Sequence, residues 1–306
     1  MRVVSLLPSA TEMLFALGIE PVGVSHECDY PPRAADLPAV NRSRVDATAD
    51  SGEIDRQVQE AVEDGGVYEI DRETLADLDP DVIVSQGICD VCAVDDTEIR
   101  TAVTELGLDA EVLTSDPHSL DDVLADVERL GQRLGRAERA ESVSADLERR
   151  IEGITDRTPE AGPRVAVLDW LDPVMVAGHW VPGMVERVGG EYGLADPGAR
   201  SRPREWAAIR EYDPEVLVVA PCGFGLEQTR ENLTDLTNRE GWAELSAVQN
   251  GRVYAIDGHH YMNRPGPRLV DSLAALASAV HPGTVDPPAE AVSQLSEQRV
   301  DTGAAN

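Results

Sequence analysis

One pattern occurs twice in this chain, and it limits the possible fold more than any other feature. A short helical stretch, an Asp-Pro-acid turn and an apolar strand follow one another over residues 75–86 and again over residues 209–220. An arginine followed by a further apolar strand also occurs twice, beginning at Arg2 and at Arg164. Strands that alternate with helices indicate parallel sheets. The sequence therefore predicts an α/β fold with two similar lobes.

A helical segment separates the two copies. Apolar residues recur at helical spacing behind Ser119, which can cap a first helix, and a second helix is predicted over about residues 136–157. At 1.5 Å per residue the second helix would span roughly 30 Å, long enough to run between two lobes as a strut. The expected divisions are an N-terminal α/β lobe, the helical segment, a C-terminal α/β lobe and a weakly ordered tail: residues 1–117, 118–160, 161–282 and 283–306.

The charge of the chain excludes several classes of partner. Its 306 residues carry a formal net charge of −31, while 42% of them are hydrophobic, which is too many for a disordered chain. Such an acidic protein repels nucleic-acid phosphates, and no basic cluster is present that would seek anionic lipid. All basic side chains apart from histidine are arginine. The acidic, lysine-free composition is typical of a halophilic protein.

The start of the chain predicts a cytoplasmic location. The apolar run that follows Arg2 meets Pro8 too early for a secretory signal, and no run of 18 apolar residues is present to insert into a membrane. A periplasmic or extracellular location is the alternative if a signal lies upstream of this start.

Aromatic and polar residues fall where strands are predicted to end. Aromatic residues make up 4% of the chain, yet Trp170, Trp180, Phe224 and Tyr261 all lie in such loops, with His179 beside Trp180. Ligands of open parallel sheets bind outside the carboxyl ends of the strands. The clustering predicts a cleft for a large, flat or apolar ligand with a few polar anchors. Ordinary loop packing is the alternative.

The cysteines also follow predicted strands, and their role stays open. Cys89 and Cys92 form a C-x-x-C pair before a possible helix start, which is the context of a redox dithiol. Thiolates with imidazoles suit zinc, iron, copper(I) or a corrinoid cobalt. Cys28 and Cys222 could join them as ligands, and we expect at least Cys28, Cys89 and Cys92 to lie within a few ångströms of one another. The alternatives are metal contact, redox work and packing.

Four segments resemble one family and follow the family's order along the chain. They are Arg2-Val-Val-Ser-Leu-Leu-Pro-Ser-Ala-Thr-Glu, Val22-Gly-Val-Ser followed by Cys28-Asp-Tyr-Pro-Pro, Leu78-Asp-Pro-Asp-Val-Ile-Val, and Arg264-Pro-Gly-Pro-Arg268. The chain is identified as a member of the class III periplasmic-binding-protein family, the helical-backbone metal receptors, in the vitamin B12 receptor branch of ABC transporter substrate-binding proteins. The resemblance covers about residues 1–282. It implies two Rossmann-like lobes with parallel sheets, a rigid backbone helix, and a corrinoid or iron chelate held between the lobes.

The resemblance also implies roles for individual residues. The corrinoid cleft would be lined by Pro8, Tyr30, Trp170, His260 and Arg264, with His260 standing where the receptors have an acid. Such receptors dock on an ABC permease through one glutamate per lobe, seven residues before the proline of each Asp-Pro turn. At those positions this chain has Glu73 in the first lobe and Ala207 in the second, which would weaken docking on a permease.

No enzyme motif stands out, so the sequence predicts a binding protein without catalytic activity. Walker A, H-E-x-x-H, G-x-S-x-G and G-x-G-x-x-G patterns are all missing. Ser9 is predicted to cap the first helix, with Glu12 completing a capping box, or to contact an anion. The leading hypothesis is a cobalamin or related corrinoid as ligand. The alternatives are a thiol–metal or redox protein on the same scaffold, and a siderophore or haem-type iron-chelate receptor of an ABC importer.

Overall fold

The computed structural model describes residues 1–88, 94 and 96–295 and confirms the predicted α/β fold. In these residues the strands are β1 Val3–Ser5, β2 Gly23–Val24, β3 Asn41–Ser43, β4 Tyr68–Ile70, β5 Val82–Gln86, β6 Glu111–Ser115, β7 Val165–Leu171, β8 Val174–Val176, β9 Arg202–Pro203, β10 Val216–Val219, β11 Val253–Ile256 and β12 Val292–Gln294. The α-helices are α1 Pro8–Ala16, α2 Ser51–Glu63, α3 Arg72–Leu78, α4 Asp96–Leu106, α5 Leu120–Arg133, α6 Ala137–Thr155, α7 Val181–Arg187, α8 Trp206–Tyr212, α9 Leu226–Glu231, α10 Thr234–Thr237, α11 Ser246–Gln249 and α12 Leu269–Val280. Among the described helices, none combines the length and the apolar character needed to cross a bilayer.

The first lobe is built on a sheet whose four strands are all parallel. Their order is β2-β1-β5-β6. Val82 and Val84 of β5 pack into one apolar cluster, while Ile83 between them packs into another. Both faces of this sheet are therefore covered, as expected for parallel strands that are joined through helices. A separate antiparallel pair, β3 with β4, belongs to the same lobe.

The second lobe has a six-stranded mixed sheet in the order β12-β11-β10-β7-β8-β9. Its central strands β11, β10 and β7 are parallel, as predicted, whereas β8, β9 and β12 pair antiparallel at the two sides. The prediction of a weakly ordered tail is wrong for residues 283–295. Strand β12 pairs with β11 there, and Ala291 is fully buried. Residues 296–306 lie outside the described residues.

The two copies of the repeated sequence pattern have the same register in the two sheets. Val3 pairs with Val82 in the first lobe, and Val165 pairs with Val216 in the second. In both copies the short helix ends on an aspartate in the left-handed conformation: Asp79 with φ 39° and Asp213 with φ 47°. The repeat is therefore structural as well as sequential.

Helices α5 and α6 join the lobes through one apolar core. The Ser119 hydroxyl accepts the Asp122 N–H at 3.1 Å and caps α5, as predicted. Helix α6 is 19 residues long and buries Leu147 and Ile151 on one face. It packs against α5 and against α12 of the second lobe, and a single apolar cluster extends from α1 through these helices to the second sheet.

Helix α1 begins at a proline and has no capping side chain. Leu7 is the N-cap residue, and Pro8 occupies the first helical position, where its missing N–H is no loss. Ser9 lies inside the first turn and is 2% exposed. The prediction that Ser9 caps this helix in a box with Glu12 is therefore wrong. The Glu12 carboxylate binds Arg268 of the second lobe instead.

Candidate functional site: the inter-lobe cleft

Ion pairs between buried and partly exposed side chains join the two lobes along a line that we call the inter-lobe seam, formed by Glu12, Asp29, Arg264 and Arg268. Arg268 Nη2 donates to Glu12 Oε1 at 2.6 Å, and Arg264 Nη1 donates to Asp29 Oδ1 at 2.5 Å. Arg264 is 5% exposed and Glu12 is 4% exposed. A buried charge that loses its partner destabilises a protein by several kcal/mol. We therefore expect the seam to fix the position of one lobe relative to the other. The predicted ligand contact Arg264 is bound to Asp29 in this arrangement.

Two tyrosines lie against Arg268 of the seam. The Arg268 guanidinium is 4.1 Å from the ring centre of Tyr30, in the first lobe, and 5.5 Å from that of Tyr261, in the second. These distances suit cation–π contacts. Tyr30 is 46% exposed, so it presents aromatic surface at the rim of the cleft. The sequence prediction names both tyrosines but not Arg268.

A short π-helical turn, Gly258–Met262, brings two histidines to the seam. His259 Nε2 and His260 Nε2 each lie 3.3 Å from Asp29 Oδ2, and the two imidazole ring centres are 4.5 Å apart. His260 Nδ1 lies 3.0 Å from Asp257 Oδ2. Turns of the π type occur often at functional sites. The predicted residue His260 is thus held between a carboxylate of each lobe.

The seam shifts the pKa of several of its groups. Hydrogen bonds with Asp257 and Asp29 raise the pKa of His260 to about 9. Partial burial acts to raise the pKa of Asp29, but hydrogen bonds from His259, His260 and Arg264 outweigh it and hold that pKa well below its ordinary value. Burial raises the pKa of Glu12, although Arg268 opposes the shift. The Asp29 carboxylate is therefore strongly stabilised as an anion.

The predicted aromatic residues Trp170 and Phe224 form a second contact between the lobes. Their ring centres are 5.3 Å apart in an edge-to-face arrangement, and Ile54 of α2, from the first lobe, belongs to the same buried apolar cluster. Trp170 is 9% exposed and Phe224 is 2% exposed, so neighbouring side chains, Ile54 among them, cover both rings. They could meet a ligand only if that cover moved away.

Trp180 is placed differently from the prediction, and its neighbour His179 packs against another histidine. Trp180 is 7% exposed and donates its indole N–H to the Met262 carbonyl at 3.0 Å. It belongs to the core, and the prediction that it lines the cleft is wrong, because its polar atom and its apolar surface are both taken up by the fold. His179 stacks on His118 with ring centres 5.7 Å apart, and burial together with His118 lowers its pKa.

Residues 47–51, the last of which begins α2, form a crossing segment that contacts the second lobe and borders two cavities. Gln228 Nε2 donates to the Ala47 carbonyl at 2.7 Å, and Ser51 Oγ donates to Asp235 Oδ2 at 2.5 Å. A cavity of about 430 Å³ lies on the side of residues 24–29, and one of about 730 Å³ lies on the side of residues 225–232. Both volumes are within the range of small-molecule sites. The crossing segment thus borders both cavities, with Ala47 lining each of them.

The described cysteines do not form the predicted metal site. Cys28 is 3% exposed, its Sγ lies 3.1 Å from Thr11 Oγ1, and burial raises its pKa to about 12. A thiol of that pKa stays protonated, so it packs rather than ligates. Neither Cys28 nor Cys222 joins a group of three or more metal-ligating side chains in the described part of the chain. Cys89 and Cys92 lie outside the described residues.

The two docking positions that the family resemblance implies are equivalent in the structure. Glu73 lies in the first turn of α3 and Ala207 in the first turn of α8, and both are exposed. Because α3 and α8 belong to the two copies of the repeat, these positions lie on corresponding surfaces of the two lobes.

Comparison with known proteins identifies the fold and the family. The model of the family described as "Periplasmic binding protein" matches residues 3–259. The chain belongs to this family. Among curated relatives, a "Cobalamin-binding protein" of Halobacterium salinarum is 26% identical over 298 residues, covering 93% of this chain and 70% of the relative. A "Vitamin B12-binding protein" of Vibrio cholerae is 25% identical over 281 residues, covering 89% of this chain and 86% of the relative.

Solved structures share the fold of this periplasmic binding protein. A periplasmic haem-binding protein from Pseudomonas aeruginosa has a TM-score of 0.73 and 22% identity, with coverage of 97% of this chain and 98% of the other. The periplasmic vitamin B12 binding protein of Vibrio cholerae has a TM-score of 0.64 and 22% identity, with coverage of 91% and 95%. Together with the family match, these structures confirm the predicted family and the two-lobed α/β fold.

Proposed function

We propose that this chain is the substrate-binding component of an ABC importer and that it binds cobalamin or a related corrinoid between its lobes. The similarity to a cobalamin-binding protein over 93% of the chain carries the proposal. The cleft supports it, because the rim offers the rings of Tyr30 and Tyr261 beside the charged groups of the seam. Aromatic surface with a few polar anchors suits a large planar ligand that has a polar periphery.

An importer component of this kind works outside the cytoplasm. The solved relatives from Pseudomonas aeruginosa and Vibrio cholerae are described as periplasmic, and a Bacillus subtilis relative, 22% identical over 293 residues, is described as a substrate-binding lipoprotein. These descriptions support the periplasmic or extracellular alternative rather than the cytoplasmic prediction. We therefore assign the chain an extracytoplasmic location and a permease partner.

A binding titration tests the proposed ligand. We expect cobalamin to bind with one site per chain, which equilibrium dialysis and the visible spectrum of the corrin would measure. Replacing Tyr30 with leucine should weaken binding at least tenfold, about 1.4 kcal/mol, because the rim loses an aromatic face. Tyr254→Leu is the matched control, since Tyr254 lies near the amino end of β11, away from the seam.

Haemin and a ferric siderophore, titrated in parallel, test the iron-chelate alternative. Binding of an iron chelate without binding of any corrinoid would overturn the corrinoid proposal. The proposal that the chain is the substrate-binding component of an importer would then stand with a different ligand. If none of these compounds binds to folded protein, the proposed function is wrong as a whole.

A further inference from the structure

The Asp29, His259 and His260 side chains at the inter-lobe seam have the composition of a metal site. Within the described residues they are the group of three metal-ligating side chains whose ligand atoms all lie within 4.8 Å of one another. We propose that Asp29, His259 and His260 bind a divalent transition-metal ion of the type that imidazole prefers, with zinc as its representative. This site is separate from the thiol site that the sequence predicts.

The distances between the ligand atoms fit such an ion. A zinc ion lies about 2.0–2.2 Å from imidazole nitrogen and carboxylate oxygen, so two ligands of a tetrahedral site are about 3.4 Å apart. The two Nε2 atoms of His259 and His260 are each 3.3 Å from Asp29 Oδ2. The two Nε2 atoms lie within 4.8 Å of each other, so binding requires modest side-chain movements together with release of the Nε2 protons that now point at Asp29. Two histidines and one carboxylate leave further coordination positions open for water or another ligand.

A second carboxylate orients one of the histidines. His260 Nδ1 lies 3.0 Å from Asp257 Oδ2, and Asp257 is 7% exposed. Histidines that ligate metals commonly donate their other ring N–H to a carboxylate, which fixes the ring and strengthens the ligand. With Nδ1 bound to Asp257, the Nε2 of His260 is the atom directed at Asp29. Asp257 is thus a positioning residue for this site.

The surrounding charges are compatible with a cation. Arg264 lies beside the site: it holds Asp29 through Nη1 and Nη2, and its Nη2 is also 3.3 Å from His259 Nε2. Its charge is faced by Glu12 at 3.8 Å, an acid that Arg264 shares with Arg268. Asp257 adds a further carboxylate on the opposite side of His260. Because Asp29 belongs to the first lobe and both histidines to the second, a bound ion would connect the lobes.

The test uses zinc alone, in the absence of any corrinoid, with full-length protein that carries no polyhistidine tag. We expect one zinc ion per chain by calorimetric titration and by elemental analysis after dialysis. His259→Gln and His260→Gln should each weaken zinc binding at least 100-fold. His118→Gln is the matched control, because His118 also faces a carboxylate, Asp116 at 3.1 Å, and it should leave the affinity unchanged.

Two further measurements separate metal binding from an effect on folding. Both glutamine variants should keep the melting temperature of the metal-free protein within a few degrees, since His259 and His260 are partly exposed. With Co²⁺ as the probe, Asp257→Asn should shift the visible absorption of the bound ion, which a purely structural role would not do. Zinc binding that survives in the folded His259→Gln/His260→Gln double variant, or that is not found in the wild type, overturns the proposal. The cobalamin titration is independent of either result.

Discussion

Asp169 carries an unusual carboxyl group at the carboxyl end of β7, next to Trp170. The residue is partly exposed, but its Oδ1 is buried. Burial raises the pKa of Asp169 to about 6, while the Ser201 hydroxyl donates to Oδ2 and opposes the shift. In the described part of the chain, Oδ1 has no hydrogen-bond partner. A buried carboxylate without full hydrogen bonding is costly, and the folded protein therefore favours the protonated form.

This shift predicts a loss of stability with rising pH. A carboxyl group whose pKa is higher in the folded state than the unfolded value of 3.8 contributes stability that is present below that value and is lost as the pH rises through about 6. The loss amounts to about 3 kcal/mol for a shift of about two units. Asp169→Asn cannot ionise at this position and does not suffer this loss. Between about pH 4 and pH 8, the free energy of unfolding of the variant, measured by chemical denaturation, should therefore rise relative to that of the wild type by that amount. Parallel pH profiles for the two proteins would contradict the prediction.

At the scale of elements, the two serines at helix starts make a matched pair. Ser119 caps α5 through the Asp122 N–H, whereas Ser9 lies inside α1 and caps nothing. Ser119→Ala should lower the free energy of unfolding by about 1 kcal/mol, because one N–H of the first turn loses its acceptor. Ser9→Ala should cost less. Urea denaturation of the two variants measures the difference, and equal losses would argue against the capping assignment.

The strands and long helices could be predicted because their signals are local. Apolar periodicity and the Asp-Pro turns lie within a dozen residues, which is enough to place β5, β10 and α6. The seam could not be predicted in this way, because Glu12 and Arg268 are far apart in sequence and meet only through the approach of the lobes. Signals did exist for Asp29, within the Cys28-Asp-Tyr segment, and for His259, beside His260. The sequence around Trp180 did not indicate that this residue would be buried, since an aromatic residue in a loop is equally compatible with a position in the core and a position in the cleft.

The first turns of α3 and α8 predict asymmetric docking on a permease. Glu73 offers a carboxylate in the first lobe, whereas Ala207 offers none at the equivalent exposed position. Ala207→Glu should increase the stimulation of the permease's ATP hydrolysis, and Glu73→Ala should decrease it. Reconstituted transporter with cobalamin-loaded protein is the assay. Glu205→Ala, on an exposed neighbour of Ala207, is the control. Stimulation that is unchanged in both Ala207→Glu and Glu73→Ala would show that these turns do not contact the permease.

At the scale of the whole molecule, we expect the crossing segment of residues 47–51 to oppose the entry of a large ligand. Its contacts with the second lobe, Gln228 to Ala47 and Ser51 to Asp235, must break before the two cavities merge. A protein that must leave a closed state before it binds has a weakened apparent affinity. Removing one contact should therefore strengthen the binding of cobalamin.

We expect Gln228→Ala to raise the apparent affinity for cobalamin roughly three- to tenfold, mainly through faster association. Stopped-flow fluorescence would measure the rate. The control is Gln59→Ala on α2, because the Gln59 side chain donates within its own helix, to Asp55 at 2.6 Å. A lower affinity in Gln228→Ala would mean that the crossing segment supports the ligand rather than excludes it.

The apolar core that passes through α5 and α6 has a thermodynamic consequence. Two-lobed proteins commonly melt in separate steps, each lobe with its own cooperative unit. Here Leu147 and Ile151 of α6 belong to the same buried cluster as both sheets, so neither lobe can melt without exposing the apolar surface of the other. Calorimetry should record one cooperative peak, and Ile151→Ala, at a cost of about 2–5 kcal/mol, should lower the whole peak instead of splitting it. Heat would then unfold the chain as a single cooperative unit, although its sequence contains two copies of one pattern.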